Sequence, residues 1–208
     1  MNKRIIGWTL VGGAAAVLIG CATAPTDAET SAKATQVLKA SFKARGQAGM
    51  DRLDQDETQK TCSEFAGKPL PKDVAEKIEK VNLAAIKWPA DGKLMGDWRN
   101  GEKIAQEGRG MQYSDDPNGA AGANCYACHQ LAPQELSFGT IGPSLYQFGK
   151  NRGYTDEMRK YAYGKIYNAD AYNACTNMPR FGHKGILTEQ QIKDVVALLM
   201  DPASPVNK

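Results

Sequence analysis

Asn124-Cys125-Tyr126-Ala127-Cys128-His129 is the stretch on which the reading of this 208-residue chain turns. Two thiols stand three positions apart and an imidazole follows the second directly, the Cys-x-x-Cys-His signature of covalent c-type haem attachment. The spacing has a chemical reason. Each sulfur adds across one vinyl group of the porphyrin, and the short tether then delivers His129 to the iron as proximal ligand. A redox pair of the thioredoxin kind expects a βαβ setting, and a zinc site expects a second close pair of Cys or His. Neither accompanies this motif.

The iron's other axial position is sought downstream, in Asn173-Ala-Cys-Thr-Asn-Met178-Pro179-Arg180-Phe181-Gly182, between two helical patterns. Pro179 keeps Met178 out of helical geometry and stiffens the loop. Thioether ligation favours ferrous iron and raises the potential, which suits an electron acceptor. His183 in the same loop, Cys175 as a thiolate and an open site are the alternatives. Met95, Met158 and Met200 sit on or beside helical patterns and read as core filler.

The flanking segments read as helices. Thr188-x-x-Gln191 has capping-box spacing, and Ile192, Val195, Val196 and Leu199 fall at i, i+3, i+4 and i+7, predicting a last helix that stops before Pro202. Thr155 caps another, with Asp156 and Glu157 in its first turn and Met158, Tyr161, Tyr163 and Ile166 on its buried side. Trp98, Gly101, Ile104, Ala105 and Gly108 recur at helical spacing, with the small residues along one side where another helix can approach closely. Val74, Ile78, Val81 and Leu83 predict a short amphipathic helix after Pro71 and Lys72, whereas Cys62, Phe65, Pro69 and Pro71 read as ordered but irregular. Val37, Leu38 and Phe42 line one side of a helix or belong to a solvated stalk. No internal repeat and no alternating apolar run is present, so the fold class is all-α.

Lys3 and Arg4 precede an apolar run from Ile5 to Ile19, too short for a comfortable membrane span, which reads as a secretory signal over residues 1–20. Leu18-Ile19-Gly20-Cys21 reads as a bacterial lipobox that makes Cys21 the lipidated mature N-terminus. The rival cut follows Ala22-Thr23-Ala24, with Pro25 awkwardly placed after it. Either cut exports the protein, so a periplasmic location is expected. Residues 21–90 are then an N-terminal extension wrapped on a haem domain spanning 91–208. Loss of Lys3 and Arg4 brings the formal charge of +3 close to neutrality, which excludes a nucleic-acid partner. Of the 5 cysteines, Cys21 belongs to processing and Cys125 and Cys128 to the haem. Cys62 and Cys175 remain, and in an exported protein they most simply form a disulfide, with two unrelated buried thiols as the alternative.

From about Trp98 to Leu199 the chain resembles the class I cytochromes c, whose first and last helices cross over a haem held by His and Met. By that resemblance Pro143 offers its carbonyl to the Nδ1 proton of His129, and Leu145 packs on the porphyrin. A closer likeness, to the SoxX family, rests on Asn124 to His129, Gly139-Thr-Ile-Gly-Pro-Ser-Leu145, Asn177-Met178-Pro-Arg-Phe-Gly182, Ile186 to Leu198 and the ending Asp201 to Val206. SoxX is the monohaem subunit of the SoxAX complex of bacterial thiosulfate oxidation. The resemblance implies one covalent haem c in this chain and a heterodimer with a SoxA-type cytochrome subunit. That complex, L-cysteine S-thiosulfotransferase, joins thiosulfate to a cysteine of a SoxY-type carrier, and a soluble cytochrome c takes the electrons. This chain would serve as an electron carrier without a catalytic residue of its own. A freestanding periplasmic cytochrome c, a haem peroxidase and a haem-containing sensor or scaffold are the other readings.

Overall fold

The computed structural model describes residues 26–208; the expected leader over 1–20 and the lipobox Cys21 lie outside them. The described residues divide into two units, the first ending at Ser41 and the second running Phe42–Lys208. In the first, α1 spans Asp27–Ser41 and buries none of its residues. It starts on a local cap, in which the Glu29 N–H donates to the Thr26 hydroxyl and the Thr26 N–H donates back to the Glu29 carboxylate. Val37 and Leu38 are exposed, and the helix ends one residue before Phe42. The segment is thus a helix, though one with a fully solvated surface.

The second unit is helical, with no strand among the described residues beyond an isolated bridge between Arg45 and Ala48. Its elements are α2 (Glu57–Glu64), α3 (Lys72–Ala84), α4 (Trp98–Gln106), α5 (Phe148–Arg152), α6 (Asp156–Tyr167) and α7 (Glu189–Met200). The core is built around α7. The capping box predicted at Thr188 and Gln191 is formed, and every residue from Ile192 to Met200 is buried. Lys193 keeps its charge inside this shell by pairing with Glu189 at 2.8 Å and Asp91 at 3.2 Å.

The small-residue stripe packs on α7 at Gly101, as expected, whereas Gly108 lies past the end of α4 beside Asn124. A side chain on Gly101 would run into the Asp194 carbonyl, and Leu198 Cβ stands 3.0 Å from the same point. Just before α4, the Gly96 N–H donates to the Lys193 carbonyl at 2.9 Å and the Asp97 N–H to the Asp194 carboxylate at 2.9 Å. These bonds fix where α4 begins against α7. Beyond α7, the Ser204 hydroxyl donates to the Leu198 carbonyl and the Asn207 side-chain amide to the Leu199 and Asp201 carbonyls, satisfying the last turn.

Two features of the upstream segment differ from the sequence reading. Cys62, expected with Phe65, Pro69 and Pro71 to be ordered but irregular, lies in α2 (Glu57–Glu64), whose N-cap Asp56 and third residue Gln59 make a reciprocal capping box. The helix carries no buried residue, so its signal lies in the cap and not in an apolar stripe. In α3 the buried residues are Ile78 and Asn82, while Val81 and Leu83 face solvent. The face is rotated because Asn168, fully buried, donates its side-chain amide to the carbonyl and side-chain oxygens of Asn82 at 3.1 and 2.9 Å. A pair of polar side chains, not the apolar count, sets the angle of α3.

Candidate haem-attachment site

Asn124 adopts a left-handed backbone (φ 46°), a conformation its short polar side chain tolerates, and turns the chain into a tight 3-10 turn over Cys125–Ala127. The Cys125 carbonyl accepts from the N–H of both Cys128 and His129, at 3.1 and 2.9 Å. Tyr126 is buried beneath the turn, and the thiols of Cys125 and Cys128 are free and half-buried. Burial pushes the Cys125 thiol up to about 12, the opposite of what a reactive dithiol needs. The turn stands in an all-helical setting, and among the described residues no group of three or more His, Cys, Asp or Glu gathers to hold a metal ion.

The segment from Gly139 to Leu145 is zipped onto this turn. The N–H groups of Gly139, Gly142 and Leu145 donate to the carbonyls of Tyr126, Cys128 and Gln130, each at 2.8 Å. Glycine is required at two of these points: a side chain on Gly139 would strike the Ala127 carbonyl, and one on Gly142 the His129 ring. His129 Nδ1 lies 2.7 Å from the Pro143 carbonyl oxygen. A carbonyl only accepts, so Nδ1 carries the proton and Nε2 is left free to ligate. Two free thiols, an imidazole in this tautomer and a glycine-lined approach to its ring make a donor set that fits covalent haem.

Met178 lies in the loop between α6 and α7, half-buried against the same core cluster that Cys125 and Leu145 join. The loop is held from several sides. Behind it, the N–H groups of Gly182 and His183 both donate to the Tyr167 carbonyl, at 3.0 and 2.9 Å, and Phe181 is buried. The His183 side chain is exposed. Before Met178, Cys175 takes a left-handed backbone (φ 59°) and is bonded to Cys62 of α2, with Cα atoms 5.3 Å apart at a sequence separation of 113. The Ala174 N–H donates to the Glu79 carboxylate of α3 at 3.2 Å. After Met178, Arg180 is buried; it donates to the Asp56 carboxylate at 2.7 Å and lies 3.5 Å from Asp170. Lys184 reaches the same Asp56 oxygen at 2.6 Å. Burial alone would raise the Asp56 carboxyl, but the hydrogen bonds from Lys184, the Gln59 N–H and Arg180 hold it well below the usual carboxylate range. The Asp170 carboxyl is pushed up by burial despite Arg180.

The structure therefore brings Cys125, Cys128, His129, Pro143 and Leu145 into one loop cluster, and joins Cys62 to Cys175 beside Met178. Sequence reasoning missed the residues that hold the Met178 loop from outside: Asp56, Glu79 and the Asn82–Asn168 pair. Only Asp56 had a sequence signal, its capping-box spacing with Gln59. The same upstream segment also holds the approach to the haem motif. Arg52 donates to the Met111 carbonyl at 2.7 Å, Gln47 to the Gln112 carbonyl at 2.8 Å, and the Arg45 guanidinium lies 4.3 Å from the Tyr113 ring centre.

Comparison with known proteins supplies the context. Residues 118–201 match the family model for cytochrome c. A protein of Aquifex aeolicus (strain VF5) described as an uncharacterized lipoprotein is 42% identical over 158 residues, covering 74% of this chain and 73% of the relative. Among solved structures, the crystal structure of SoxXA from P. pantotrophus contains a chain 28% identical, with a TM-score of 0.36 over 51% of this chain and 82% of that one.

Proposed function

We propose an electron-carrying subunit role for this chain, which belongs to the same family as the Aquifex aeolicus lipoprotein and carries a cytochrome c domain in an all-α, class I cytochrome c fold. The finer reading is that it is the haem c subunit of a thiosulfate-oxidising SoxAX complex, the L-cysteine S-thiosulfotransferase. Support for that reading comes from the run of motifs from Asn124 through Gly139–Leu145 and Asn177–Gly182 to Asp201–Val206.

In this reading Cys125 and Cys128 hold one haem c per chain by thioether bonds, His129 is the proximal ligand and Met178 the distal one. Bound there, haem c supplies a one-electron ferric–ferrous couple. The Pro143 carbonyl keeps the Nδ1 proton on His129 and so strengthens its Nε2 as a donor. Phe181 and Tyr167 belong to the apolar cluster against which Leu145 and Met178 pack. A SoxA-type partner would conjugate thiosulfate to a cysteine of a SoxY-type carrier, and the two electrons released would pass singly through this chain to a soluble cytochrome c.

One observation carries the electron-transfer reading: the Met178 loop is tied to residues 42–90 by Cys62–Cys175 and by Asp56. A tethered sixth ligand suits a couple that changes charge without changing ligands, whereas a peroxidase needs that position free. The division into leader (1–20), extension (21–90) and haem domain (91–208) follows from the same reading, with residues 42–90 acting as a brace. Export to the periplasm is part of it, and the lipoprotein description of the Aquifex relative favours Cys21 as a lipid anchor. No helix among the described residues is long and apolar enough to cross a membrane.

Purification from native periplasm tests the assignment. A second haem-bearing subunit should accompany the chain, and thiosulfate with a SoxY-type carrier should reduce its haem. Isolation as a single chain that thiosulfate never reduces would leave the freestanding cytochrome c standing in its place.

A further inference from the structure

We propose that Asp56 is a positioning residue for Met178, an inference that rests on Met178 being the iron's sixth ligand. The Asp56 carboxylate does two things at once. One oxygen accepts from the Gln59 N–H at 3.0 Å and caps α2; the other accepts from Arg180 at 2.7 Å and Lys184 at 2.6 Å. These two cations lie two and six positions beyond Met178, so the carboxylate grips the loop just past its ligand.

The grip matters because little else presses α2 onto the loop. Between them lies a cavity of about 700 Å³, whose walls include Thr58, Phe65, Asp170 and Met178 itself. Apolar packing across such a space is weak. Two tethers bridge it: the Cys62–Cys175 bond before Met178 and the Asp56 contacts after it. The disulfide fixes one end only, since Met178 and Pro179 could still swing about Cys175. Past Met178 the Tyr167 carbonyl holds Gly182 and His183 from behind, and Arg180 ties the loop across to Asp56 at the start of α2. Arg180 is 7% exposed and would be left without its strongest partner if Asp56 lost its charge. Asp170, the remaining acid beside it, is at 3.5 Å and has its own carboxyl pushed toward the neutral form by burial.

Asp56→Asn separates the two jobs, because Asn caps a helix as well as Asp but cannot pair with Arg180 and Lys184. Gln59→Ala is the matched control: it removes the side-chain half of the capping box and leaves the carboxylate in place. In the haem-loaded protein, Asp56→Asn should speed cyanide binding to the ferric form by roughly tenfold, because ligand entry follows the population in which the loop is open. It should also speed hydrogen exchange of the 175–182 amides and lower the midpoint potential. Gln59→Ala should leave all three at wild-type values. Equal effects of the two variants, or no change in loop exchange in Asp56→Asn, would overturn the proposal. The ligand reading has its own check. If Met178→Ala leaves the ferric spectrum intact while Asp56→Asn still loosens the loop, Met178 is not the ligand, and positioning of it by Asp56 falls on that ground alone.

Discussion

Gly101 of α4 rests against the backbone carbonyl of Asp194 in α7, leaving no room for a side chain between the two helices. Alanine is the better helix former by about 1 kcal/mol. At this crossing overpacking costs about 1–3 kcal/mol or more and decides the sign. Gly101→Ala should lower the urea midpoint of the haem-loaded protein and Gly101→Val should lower it further. A midpoint that rises with Gly101→Ala would mean the two helices are free to part.

Met178→Ala should abolish the weak sulfur-to-iron absorption band and lower the midpoint potential, since a thioether ligand favours the ferrous state. His183→Ala, on the exposed side of the same loop, should do neither. A wild-type ferric spectrum without the band, perturbed in the His183 variant alone, would exchange their roles.

Replacing Cys62 and Cys175 by Ser should cost about 2–5 kcal/mol in unfolding free energy, the range for native disulfides that close long loops. Its second effect should be faster cyanide binding to the ferric haem protein, as the loop loses the tether before Met178. Stopped-flow mixing reads it directly, and an unchanged rate would make the bridge a purely global brace.

Acid should weaken the Asp56 contacts. The carboxyl is depressed in the folded chain, so its contribution is complete above the unfolded value of about 3.9 and is lost as pH falls below that toward the folded value. Asp56 is partly exposed, so its worth at neutral pH is about 1–2 kcal/mol, less than for a fully buried pair. Denaturant titrations of wild type and Asp56→Asn should therefore differ at pH 7 and converge as pH falls from 4 toward 2. A constant gap would assign the stability to something other than this charge.

Asn168→Leu should be destabilising by about 1–3 kcal/mol, because it leaves the buried Asn82 side-chain oxygen without a donor and its carbonyl with only the long Ala85 N–H bond at 3.3 Å. Hydrogen exchange should localise the loosening to α3. Uniform loosening across α4 and α7 would instead show that α3 is integral to the core.

What the sequence disclosed were the features with local or countable signatures. The last helix was legible because Thr188, Gln191 and the apolar spacing of Ile192 to Leu199 all act within one turn or two. The cysteine pairing came from counting, with two thiols required by the haem motif. The α4–α7 contact was foreshadowed by small residues at helical spacing. Other features depend on partners far away in sequence. Nothing local says that Asn82, rather than Val81 or Leu83, turns inward; Asn168 decides it from 86 positions away. Arg180 sits on a loop with no local signal of burial, yet Asp56, 124 positions away, draws it under cover.

The bond between Cys62 and Cys175 encloses the Cys125–His129 motif within its ring, and this gives assembly an order. In the haem reading four thiols have opposite fates: Cys62 and Cys175 are oxidised to each other, and Cys125 and Cys128 are kept reduced to add to vinyl groups. Cys125 and Cys128 are neighbours even in an unfolded chain, so haem can be captured before any fold exists. The native fold is what brings Cys62 and Cys175 together, with Cα atoms 5.3 Å apart where α2 meets the Met178 loop. Read this way, the disulfide is a seal applied last. In a chain that has failed to fold, the same two thiols stand 113 positions apart, and joining them costs the full loop-closure entropy.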